Sequence, residues 1–416
     1  MPLPAVSTTD ILIYLLLLTL RFLFSSHLLL AITIALRALP FLLFQLPVEF
    51  FRERVLHLQP SSKCSEKTST GGRRGRETTL FQAMVLKCMR YSFTNLPVPV
   101  ARCFFDKFVV VGFYYWRLLR LSTSTPLRTP PKGLWIQYHH PPSSSPTSIS
   151  PIFGPCTSCT PPSLPSPDLT ILYLHGGGFT LGTPHFYLEF LTTLCSLLRE
   201  AGFENPAIFA LQYSLAPEMR YPSQVKEVEG AVEYVVERMG GRRERVVVMG
   251  DSAGGRLAVE VLMGGAGWVG LGVLVSPWVE VGEGKMGERE GEDYLDRERL
   301  REFAGLYYGP DNAAGHSIPL DSSQDGDGLK KVFPRHGITV YYSAQEILGN
   351  GIRELIEQLR EHGEVKERMI GNVHAWVVAS MFLGGDWEER GEGVRAVVKD
   401  VKMAMGEERG RKRERV

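Results

Sequence analysis

The sequence predicts an α/β fold in which a mostly parallel central sheet carries helices on both faces, preceded by an N-terminal membrane anchor. Three observations support this prediction: strand-like and helix-like runs alternate from residue 169 onward, the composition is globular, and the first fifty residues are strongly apolar. Such alternation is typical of parallel strands joined by helical crossovers. The strand-like runs are 134–138, 169–174, 207–213, 245–249, 269–275, 337–342 and 365–370, and the helix-like runs are 186–200, 223–239, 253–263, 297–307, 352–361 and 391–405.

The composition limits the classes of partner. The chain has 416 residues, of which 44% are hydrophobic and 22% charged, so it can bury a substantial core. The formal net charge of +1 provides no broad positive field for phosphate groups, which argues against a nucleic-acid partner. Six cysteines in a chain of this length do not form a disulfide scaffold.

Residues 1–55 are predicted to form the membrane anchor. Between residues 11 and 36 the only charged side chain is Arg21, and a run of about 20 apolar residues is long enough to cross a bilayer. A cleaved signal peptide fits less well, because residues 1–10 contain no Lys or Arg and the apolar run is too long. A buried helix of the soluble fold is the other alternative. The pattern leaves open whether the region crosses the membrane once or forms a hairpin.

The sequence does not decide which side of the membrane carries the rest of the chain. Basic residues are enriched on the cytoplasmic side of membranes. Seven of them follow the apolar region: Arg52, Arg54, Lys63, Lys67, Arg73, Arg74 and Arg76. No Asn-x-Ser/Thr acceptor occurs in the sequence, so nothing in it argues for a lumenal glycoprotein.

The remaining chain divides by composition. Residues 56–79 are rich in Ser, Thr, Gly and Arg and are predicted to be a linker. Residues 80–125 combine apolar stretches with basic side chains, as amphipathic helices that cover a pocket or lie on a membrane do. Residues 126–406 hold the α/β domain, and residues 407–416 form a charged tail.

A Pro/Ser/Thr-rich segment over residues 141–168 is predicted to be a surface loop of the α/β domain. It contains Cys156 and Cys159. A zinc site normally needs a second pair of ligands, and the sequence shows none, so no metal is expected. A small disulfide and two free thiols both remain open.

The hexapeptide Gly-Asp-Ser-Ala-Gly-Gly at 250–255 carries the strongest chemical signal. It matches the pattern G-x-S-x-G, follows an apolar run and precedes a helical pattern, as a nucleophile elbow requires. Ser252 would take strained backbone angles in this turn, and the glycines two residues to either side let the neighbouring backbone pass without a Cβ clash. The helix N-terminus that follows favours developing negative charge. The pattern therefore predicts that Ser252 is a nucleophile.

The segment His-Gly-Gly-Gly-Phe at 175–179 directly follows the strand-like run 169–174. Acyl transfer builds negative charge on a carbonyl oxygen, which backbone N–H groups about 3 Å away can stabilise. A phosphate-binding turn is the alternative, but no G-K-[ST] pattern accompanies the glycines. The expected N–H donors are Gly177, Gly178 and Ala253. The residues expected to support the two turns are His175, Gly176 and Asp251.

These two motifs, together with Tyr-Ser-Leu-Ala-Pro-Glu at 213–218 and Tyr221-Pro222, resemble the hormone-sensitive-lipase branch of the α/β-hydrolases over about residues 134–383. Residues 293–308 and 371–376 are similar to fungal membrane-anchored steryl acetyl hydrolases. The resemblance implies an α/β-hydrolase fold with a helical cap built from residues 80–125 and an insertion over residues 279–325. It also implies a location in the endoplasmic reticulum with a lumenal catalytic domain. Ser214 stands where the family usually has Arg, so no ion pair is expected from that position.

Chain order in such hydrolases is Ser, then an acid, then His. His374 follows the strand-like run 365–370 on a late loop, the setting of the family's catalytic histidine, and is the predicted base. The other histidines that follow Ser252 are His316, His336 and His362.

Glu346 is the predicted acid because it follows the strand-like run 337–342 and precedes His374. Many relatives carry Asp after a Gly-x-x turn, whereas here Ser343 replaces the glycine and Glu replaces Asp. The longer carboxylate can still orient an imidazole. Glu354 and Asp327 are the alternatives.

The combined pattern predicts a membrane-associated serine ester hydrolase that acts on small apolar esters and has membrane lipid as its other partner. Ser252 would attack the ester carbonyl, His374 would move the proton and Glu346 would fix the imidazole, with no metal or organic cofactor required. The resemblance adds sterol deacetylation. An acyltransferase or amidase with the same triad, and a non-catalytic binding module, are the alternatives. We further expect that deleting residues 1–55 releases the protein from membranes without loss of activity on a soluble ester.

Overall fold

We describe the protein from a computed structural model. The structure describes residues 6–24, 28–49, 51, 80–119, 133–139, 150–154, 166–264, 268–280, 293–309, 333–343 and 345–413. The predicted linker over residues 56–79 lies outside the described residues, as do Cys156, Cys159, His316 and Asp327.

An eight-stranded sheet forms the centre of the described structure. Its strands are β1 (Gly133–His139), β2 (Ser150–Gly154), β3 (Leu169–Leu174), β4 (Pro206–Leu211), β5 (Val246–Asp251), β6 (Leu271–Val275), β7 (Ile338–Tyr342) and β8 (Val365–Met369). Their order across the sheet is β2-β1-β4-β3-β5-β6-β7-β8. Strands β3 to β8 run parallel, whereas β1 pairs antiparallel with both β4 and β2 at one edge. The predicted mostly parallel sheet is confirmed.

Helices cover both faces of the sheet. In chain order they are α1 (Thr8–Leu23), α2 (Leu28–Pro40), α3 (Leu80–Asn95), α4 (Val98–Phe104), α5 (Lys107–Leu119), α6 (Leu188–Glu200), α7 (Ser223–Arg238), α8 (Ala253–Gly264), α9 (Arg297–Tyr308), α10 (Gly349–Arg360), α11 (Trp376–Leu383) and α12 (Trp387–Arg413). Successive side chains of a strand point to opposite faces. Leu172 therefore packs with α7, α8 and α10 in one apolar core, and its neighbour Tyr173 packs with α6 and α12 in the other.

Two helices at the end of the chain differ from the sequence prediction. The sequence does not predict α11, because its eight residues are apolar almost throughout and show no amphipathic period; all but one of them are buried. The predicted helix 391–405 is longer, since α12 begins at Trp387 and runs to Arg413. The predicted charged tail over residues 407–416 is therefore largely the end of this helix.

The N-terminal region, for which the sequence leaves a single crossing and a hairpin open, is divided in the structure. It forms two helices, α1 and α2, and α2 continues through a π-helix at Phe41–Gln45. Among the described residues, one stretch, Ile32–Glu49, is long and apolar enough to cross a membrane. Helix α1 packs along α5 with one face, whereas Leu12 and Leu16 on its other face are exposed, so it matches neither a free anchor nor a buried helix of the fold.

Candidate active site

Ser252 occupies the sharp turn between β5 and α8. Its φ of +52° lies in the left-handed region, which non-glycine residues rarely adopt. Its N–H donates to the carbonyl of Val275 on β6 at 2.9 Å, and its carbonyl accepts from the N–H of Trp278 at 3.0 Å. A Cβ at Gly254 would overlap the carbonyl of Leu174, so the glycine lets α8 begin directly against β3. The structure thus places the elbow where the sequence predicts it.

His374 and Glu346 lie side by side near the carboxyl ends of β7 and β8. His374 Nδ1 is 3.4 Å from Glu346 Oε2, and the two residues are only 2% and 4% exposed. His374 Nε2 is buried and makes no hydrogen bond to any described atom. Ser252 and His374 line the same cavity. The structure therefore brings the predicted nucleophile, base and acid to one place.

Burial and nearby charges set the protonation of this pair. Burial lowers the pKa of His374, but the hydrogen bond and charge of Glu346, with the charges of Asp293 and Asp251, raise it above its ordinary value of 6.5. Burial raises the pKa of Glu346, and the hydrogen bonds from His374 and Ser276 oppose that rise. An imidazole with a raised pKa binds a proton readily, as a general base must.

The alternative acid and bases that the structure describes lie elsewhere. Glu354 is exposed on α10, and His362 follows the end of that helix. His336 precedes β7 and so lies at the amino ends of the parallel strands, whereas Ser252 follows β5 at their carboxyl ends. None of the three is among the residues that line the cavity.

Ser276, which the sequence analysis does not identify, links the acid to the histidine loop. Its Oγ donates to Glu346 Oε2 at 2.6 Å and accepts from the N–H of Ala375 at 3.0 Å. Both Ser276 and Ala375 have positive φ, so the two loops meet through strained turns. Ser276 directly follows β6, and the carboxyl ends of parallel strands meet at one edge. That position is the one signal in the sequence that could have identified it.

A second carboxylate, from the predicted cap insertion, contacts the loops that carry Glu346 and His374. Asp293 Oδ1 accepts from the N–H of His374 at 3.2 Å, and its Oδ2 accepts from the N–H of Ile347 at 3.2 Å. The Tyr294 hydroxyl donates to the carbonyl oxygen of His374 at 3.2 Å. Asp293 is only 4% exposed. Since no motif connects a cap residue with a histidine 81 positions later, sequence reasoning misses this contact.

Ser343, which stands where the family resemblance predicts glycine, stabilises the same region. Ser343 is fully buried, and its Oγ donates to the carbonyl of Gly371 at 3.1 Å. The bond joins the acid loop to the loop that carries His374. The departure from the family pattern therefore adds a connection between two catalytic segments.

The glycine turn after β3 forms another wall of the cavity. Gly177 and Gly178 have φ of +116° and +60°, and a Cβ at Gly178 would overlap the ring of Phe303. The N–H groups of Gly177, Gly178 and Ala253 donate to no other atom among the residues that the structure describes. Such unpaired donors suit an oxygen that gains negative charge during a reaction.

Asp251 fixes this turn to the elbow. Its Oδ1 accepts from the N–H of Gly176 at 3.0 Å and from the Tyr173 hydroxyl at 2.6 Å, and its Oδ2 accepts from the Tyr187 hydroxyl at 3.1 Å. Burial raises the pKa of Asp251 to about 6, against the effect of the two tyrosine hydrogen bonds. Burial lowers the pKa of His175 to about 4, so this histidine is neutral at pH 7. Both residues occupy the supporting positions that the sequence predicts.

The serine that replaces the family's arginine changes the local pairing. The N–H and Oγ of Ser214 both donate to the Glu227 carboxylate, at 2.7 and 2.6 Å. Glu218 pairs instead with Arg102 of α4 at 2.6 Å. An arginine from the N-terminal helices thus reaches the loop after β4.

Ser252 and His374 line an apolar cavity of about 620 Å³. The two predicted cap segments meet over it: the ring of Phe93 on α3 is 5.6 Å from that of Phe303 on α9, and Arg90 donates to the carbonyl of Asp293 at 3.1 Å. Further lining residues include Met84, Met89, Phe104, Phe105, Leu295 and Leu300. Within the described residues, no group of three or more His, Cys, Asp or Glu side chains could hold a metal ion.

Fold and site together define an α/β hydrolase. The chain belongs to the family Abhydrolase_3, described as having an alpha/beta hydrolase fold, whose profile matches residues 171–378, half of the chain. The chain is 31% identical over 193 residues to an acetyl-hydrolase of Streptomyces hygroscopicus, covering 45% of this chain and 60% of the relative. It is 38% identical over 92 residues to an ethyl acetate hydrolase of Pseudomonas putida, covering 21% and 27%. It is 34% identical over 96 residues to neutral cholesterol ester hydrolase 1 of Bos taurus, covering 21% and 22%.

Solved structures show the same fold. A hyperthermophilic esterase from the archaeon Pyrobaculum calidifontis superposes with a TM-score of 0.55 at 20% identity, covering 79% of this chain and all of that one. An esterase from the bacterial hormone-sensitive lipase family gives a TM-score of 0.52 at 21% identity, covering 80% and 99%. The curated relatives match over three fifths of their length or less, so the activity and substrate are argued below from the site.

Proposed function

We propose that this protein is a serine ester hydrolase that uses Ser252, His374 and Glu346. The observation that carries the proposal is the shared cavity, which Ser252, His374 and the glycine turn with unpaired N–H groups line together, with Glu346 buried beside His374. The names of relatives, which include an acetyl-hydrolase and an ethyl acetate hydrolase, point to the same reaction class.

The proposed reaction assigns one step to each of these groups. Ser252 Oγ attacks the carbonyl carbon of an ester while His374 Nε2 takes the hydroxyl proton. The oxygen that becomes negative accepts hydrogen bonds from the N–H groups of Gly177, Gly178 and Ala253. His374 then protonates the departing alkoxide, and a water molecule attacks the acyl-enzyme by the same route. Glu346 holds the imidazole by Nδ1 and stabilises its charged form.

The first test is covalent labelling and turnover. A fluorophosphonate probe should label the wild-type chain but not Ser252→Ala, whose turnover of p-nitrophenyl acetate should fall by about 10³-fold or more. Ser214→Ala, a serine paired with Glu227 outside the cavity, is the matched control and should keep both properties. Labelling of the Ser252→Ala protein would disprove that Ser252 is the nucleophile.

The acid is tested in the same way. Glu346→Gln leaves the side-chain shape intact but removes the charge that favours the imidazolium, so the turnover number should fall by roughly 10²–10⁴-fold. Glu354→Gln, on the exposed face of α10, should be unaffected. Equal rates for the two variants would move the acid elsewhere.

The cavity supports a bulky, apolar ester. Its volume lies in the range of pockets that bind compounds of drug size, and aromatic and aliphatic side chains dominate its lining. One relative is named a cholesterol ester hydrolase and another an acetyl-hydrolase. We therefore propose acetylated sterols or related lipids as substrates. A panel of acetyl, butyryl and long-chain esters that includes an acetylated sterol tests this, and a preference for water-soluble esters throughout would contradict it.

We also propose that the N-terminal region attaches the protein to a membrane. The side chains of Leu12, Leu29, Leu36 and Leu43 are 61%, 80%, 61% and 61% exposed, although all four are apolar. Exposed apolar patches of this extent are rare on soluble monomers. Flotation of the full chain with vesicles tests the attachment. The endoplasmic reticulum stays a prediction of the resemblance, to be tested by localisation.

A further inference from the structure

We infer that α1 builds a wall of the catalytic cavity with one face and lies on a lipid bilayer with the opposite face. This inference rests on the ester hydrolysis proposed above. It makes the N-terminal helix part of the substrate site, whereas the sequence predicts that residues 1–55 can be deleted without loss of activity on a soluble ester.

The inner face of α1 reaches the cavity. Tyr14 lines the cavity that contains Ser252, and its hydroxyl donates to the carbonyl of Phe104 at 3.1 Å. Its ring meets that of Phe113 on α5 edge-on, with centroids 5.3 Å apart. Leu18, one turn further along, is 6% exposed and packs in an apolar cluster with α4 and α5. Residues four positions apart share a helix face, so this face of α1 is buried.

Polar contacts at both ends hold α1 in this position. Near its start, Asp10 is 1% exposed and accepts from the Trp116 indole N–H at 3.1 Å. Near its end, Arg21 pairs with Asp106 at 2.9 Å. The one charge within the apolar run therefore points to the protein, which removes the cost of exposing it to lipid. Because Asp106 precedes α5 and Trp116 lies near its end, the two helices run antiparallel.

The outer face of α1 is apolar and uncovered. Leu12, Leu15, Leu16 and Leu23 are 61%, 49%, 54% and 56% exposed. A helix with one buried face and one exposed apolar face suits the boundary between a protein and acyl chains. Since a helix is about 10 Å across, the cavity and this outer face are separated by about that distance.

Helix α2 continues the same exposed surface beside the cap. Phe41, just after α2, stacks on Tyr91 of α3 with ring centroids 4.2 Å apart, and Glu49 pairs with Lys87 of α3 at 2.5 Å. Only residues 24–27 separate α1 from α2, and four residues reach at most about 14 Å. The stretch Ile32–Glu49 is apolar enough to enter a bilayer. Because α1 adjoins this stretch, we infer that the same bilayer covers the exposed face of α1.

The bilayer contact is tested on the full chain in phosphatidylcholine vesicles whose acyl chains carry a photoreactive diazirine. Crosslinks should form on the peptide with Leu12, Leu15 and Leu16. Met403 is the matched apolar control and should not react: it is 51% exposed on α12, two residues before Met405, whose carbonyl accepts from Arg245 at the amino end of β5. Absence of crosslinks on α1, or equal labelling of Met403, would overturn the bilayer contact.

The cavity wall is tested by specificity. In Tyr14→Ala, kcat/KM for an acetylated sterol relative to that for p-nitrophenyl acetate should change by about fivefold or more, mainly through KM, because the altered wall contacts only the larger substrate. Tyr14→Phe keeps the ring and should restore most of the wild-type ratio. Leu16→Ala, on the outer face, should not change the ratio. An unchanged ratio in a folded Tyr14→Ala protein would show that α1 does not form a wall of the substrate site.

The two proposals fail differently. If the wild-type chain hydrolyses neither ester and resists fluorophosphonate, the proposed function is wrong, while the crosslinking pattern still decides where α1 lies. If hydrolysis is normal but the Tyr14→Ala ratio and the α1 crosslinks match the controls, only the inference about α1 is wrong.

Discussion

Replacing Asp293 by Asn removes one negative charge from beside the catalytic loops and keeps the size of the side chain. In the wild type the carboxylate joins the N–H groups of His374 and Ile347, one on each catalytic loop. The amide oxygen of the variant can still accept from His374. The amide NH₂ then faces the N–H of Ile347, so one buried hydrogen bond is replaced by two donors that face each other.

The substitution should lower the stability of the protein and also lower the pKa of His374. A buried donor without an acceptor costs roughly 1–3 kcal/mol, so the free energy of unfolding should fall by about 2 kcal/mol. The charge of Asp293 also favours the protonated form of His374, as do Glu346 and Asp251, the other acidic groups around the ring. Because Asp293 contacts the backbone of His374 and not its ring, it adds to the larger effect of Glu346, and we expect the pKa of His374 to fall when this charge is removed.

The assay is the pH dependence of kcat/KM on p-nitrophenyl acetate. The base must be neutral, so activity rises with pH through the pKa of His374, and this acid limb should move to lower pH in Asp293→Asn. Asp296→Asn is the matched control: it removes the same charge three residues away, and Asn caps α9 as well as Asp does. If the acid limb stays in place, or moves equally in both variants, the electrostatic role of Asp293 is refuted.

Three further predictions concern His374, Ser276 and Asp400. In the wild type, the midpoint of the acid limb should lie above pH 6.5, because the pKa of His374 is raised; a midpoint below 6.5 would contradict this. Ser276→Ala removes one hydrogen bond from Glu346 and one from the histidine loop, so kcat should fall by roughly 10–100-fold with little change in KM. A rise in KM as large as the fall in kcat would instead indicate a general distortion of the site. Asp400 pairs with Lys366 and Arg368, whose hydrogen bonds outweigh burial and lower its pKa to about 2; Asp400→Asn should therefore cost about 1–2 kcal/mol in urea denaturation at pH 7. The cost is fully present above pH 3.8 and should disappear as pH falls through about 2, so a pH-independent cost would show that packing is responsible.

The turns of the site are encoded locally, and sequence reasoning locates them. A serine with positive φ between a strand and a helix needs glycines at fixed spacing, because any Cβ at Gly254 would overlap neighbouring backbone. The glycine turn after β3 follows the same rule. Buried parallel strands read as uninterrupted apolar runs, so β3 and β5 are also visible without coordinates.

Chain order extends this reasoning to the acid and the base. Parallel strands deliver their carboxyl ends to one edge, so a carboxylate after β7 and a histidine after β8 are expected near Ser252. Their contact at 3.4 Å, however, depends on the register of strands that are distant in sequence. The catalytic roles stay proposals until the variants are measured.

The residues that hold and surround these groups are visible only in the folded molecule. Asp293 binds the backbone of a histidine 81 positions away, and Tyr14 reaches a cavity whose nucleophile lies more than two hundred residues later. Such contacts have no period or spacing, because they arise where separate elements happen to pack. An apolar run with one arginine therefore predicts a membrane helix, but only the folded structure shows that Tyr14 on one side of it lines the cavity. Adjacent residues determine local backbone geometry, whereas the contacts of a side chain depend on how the whole chain folds.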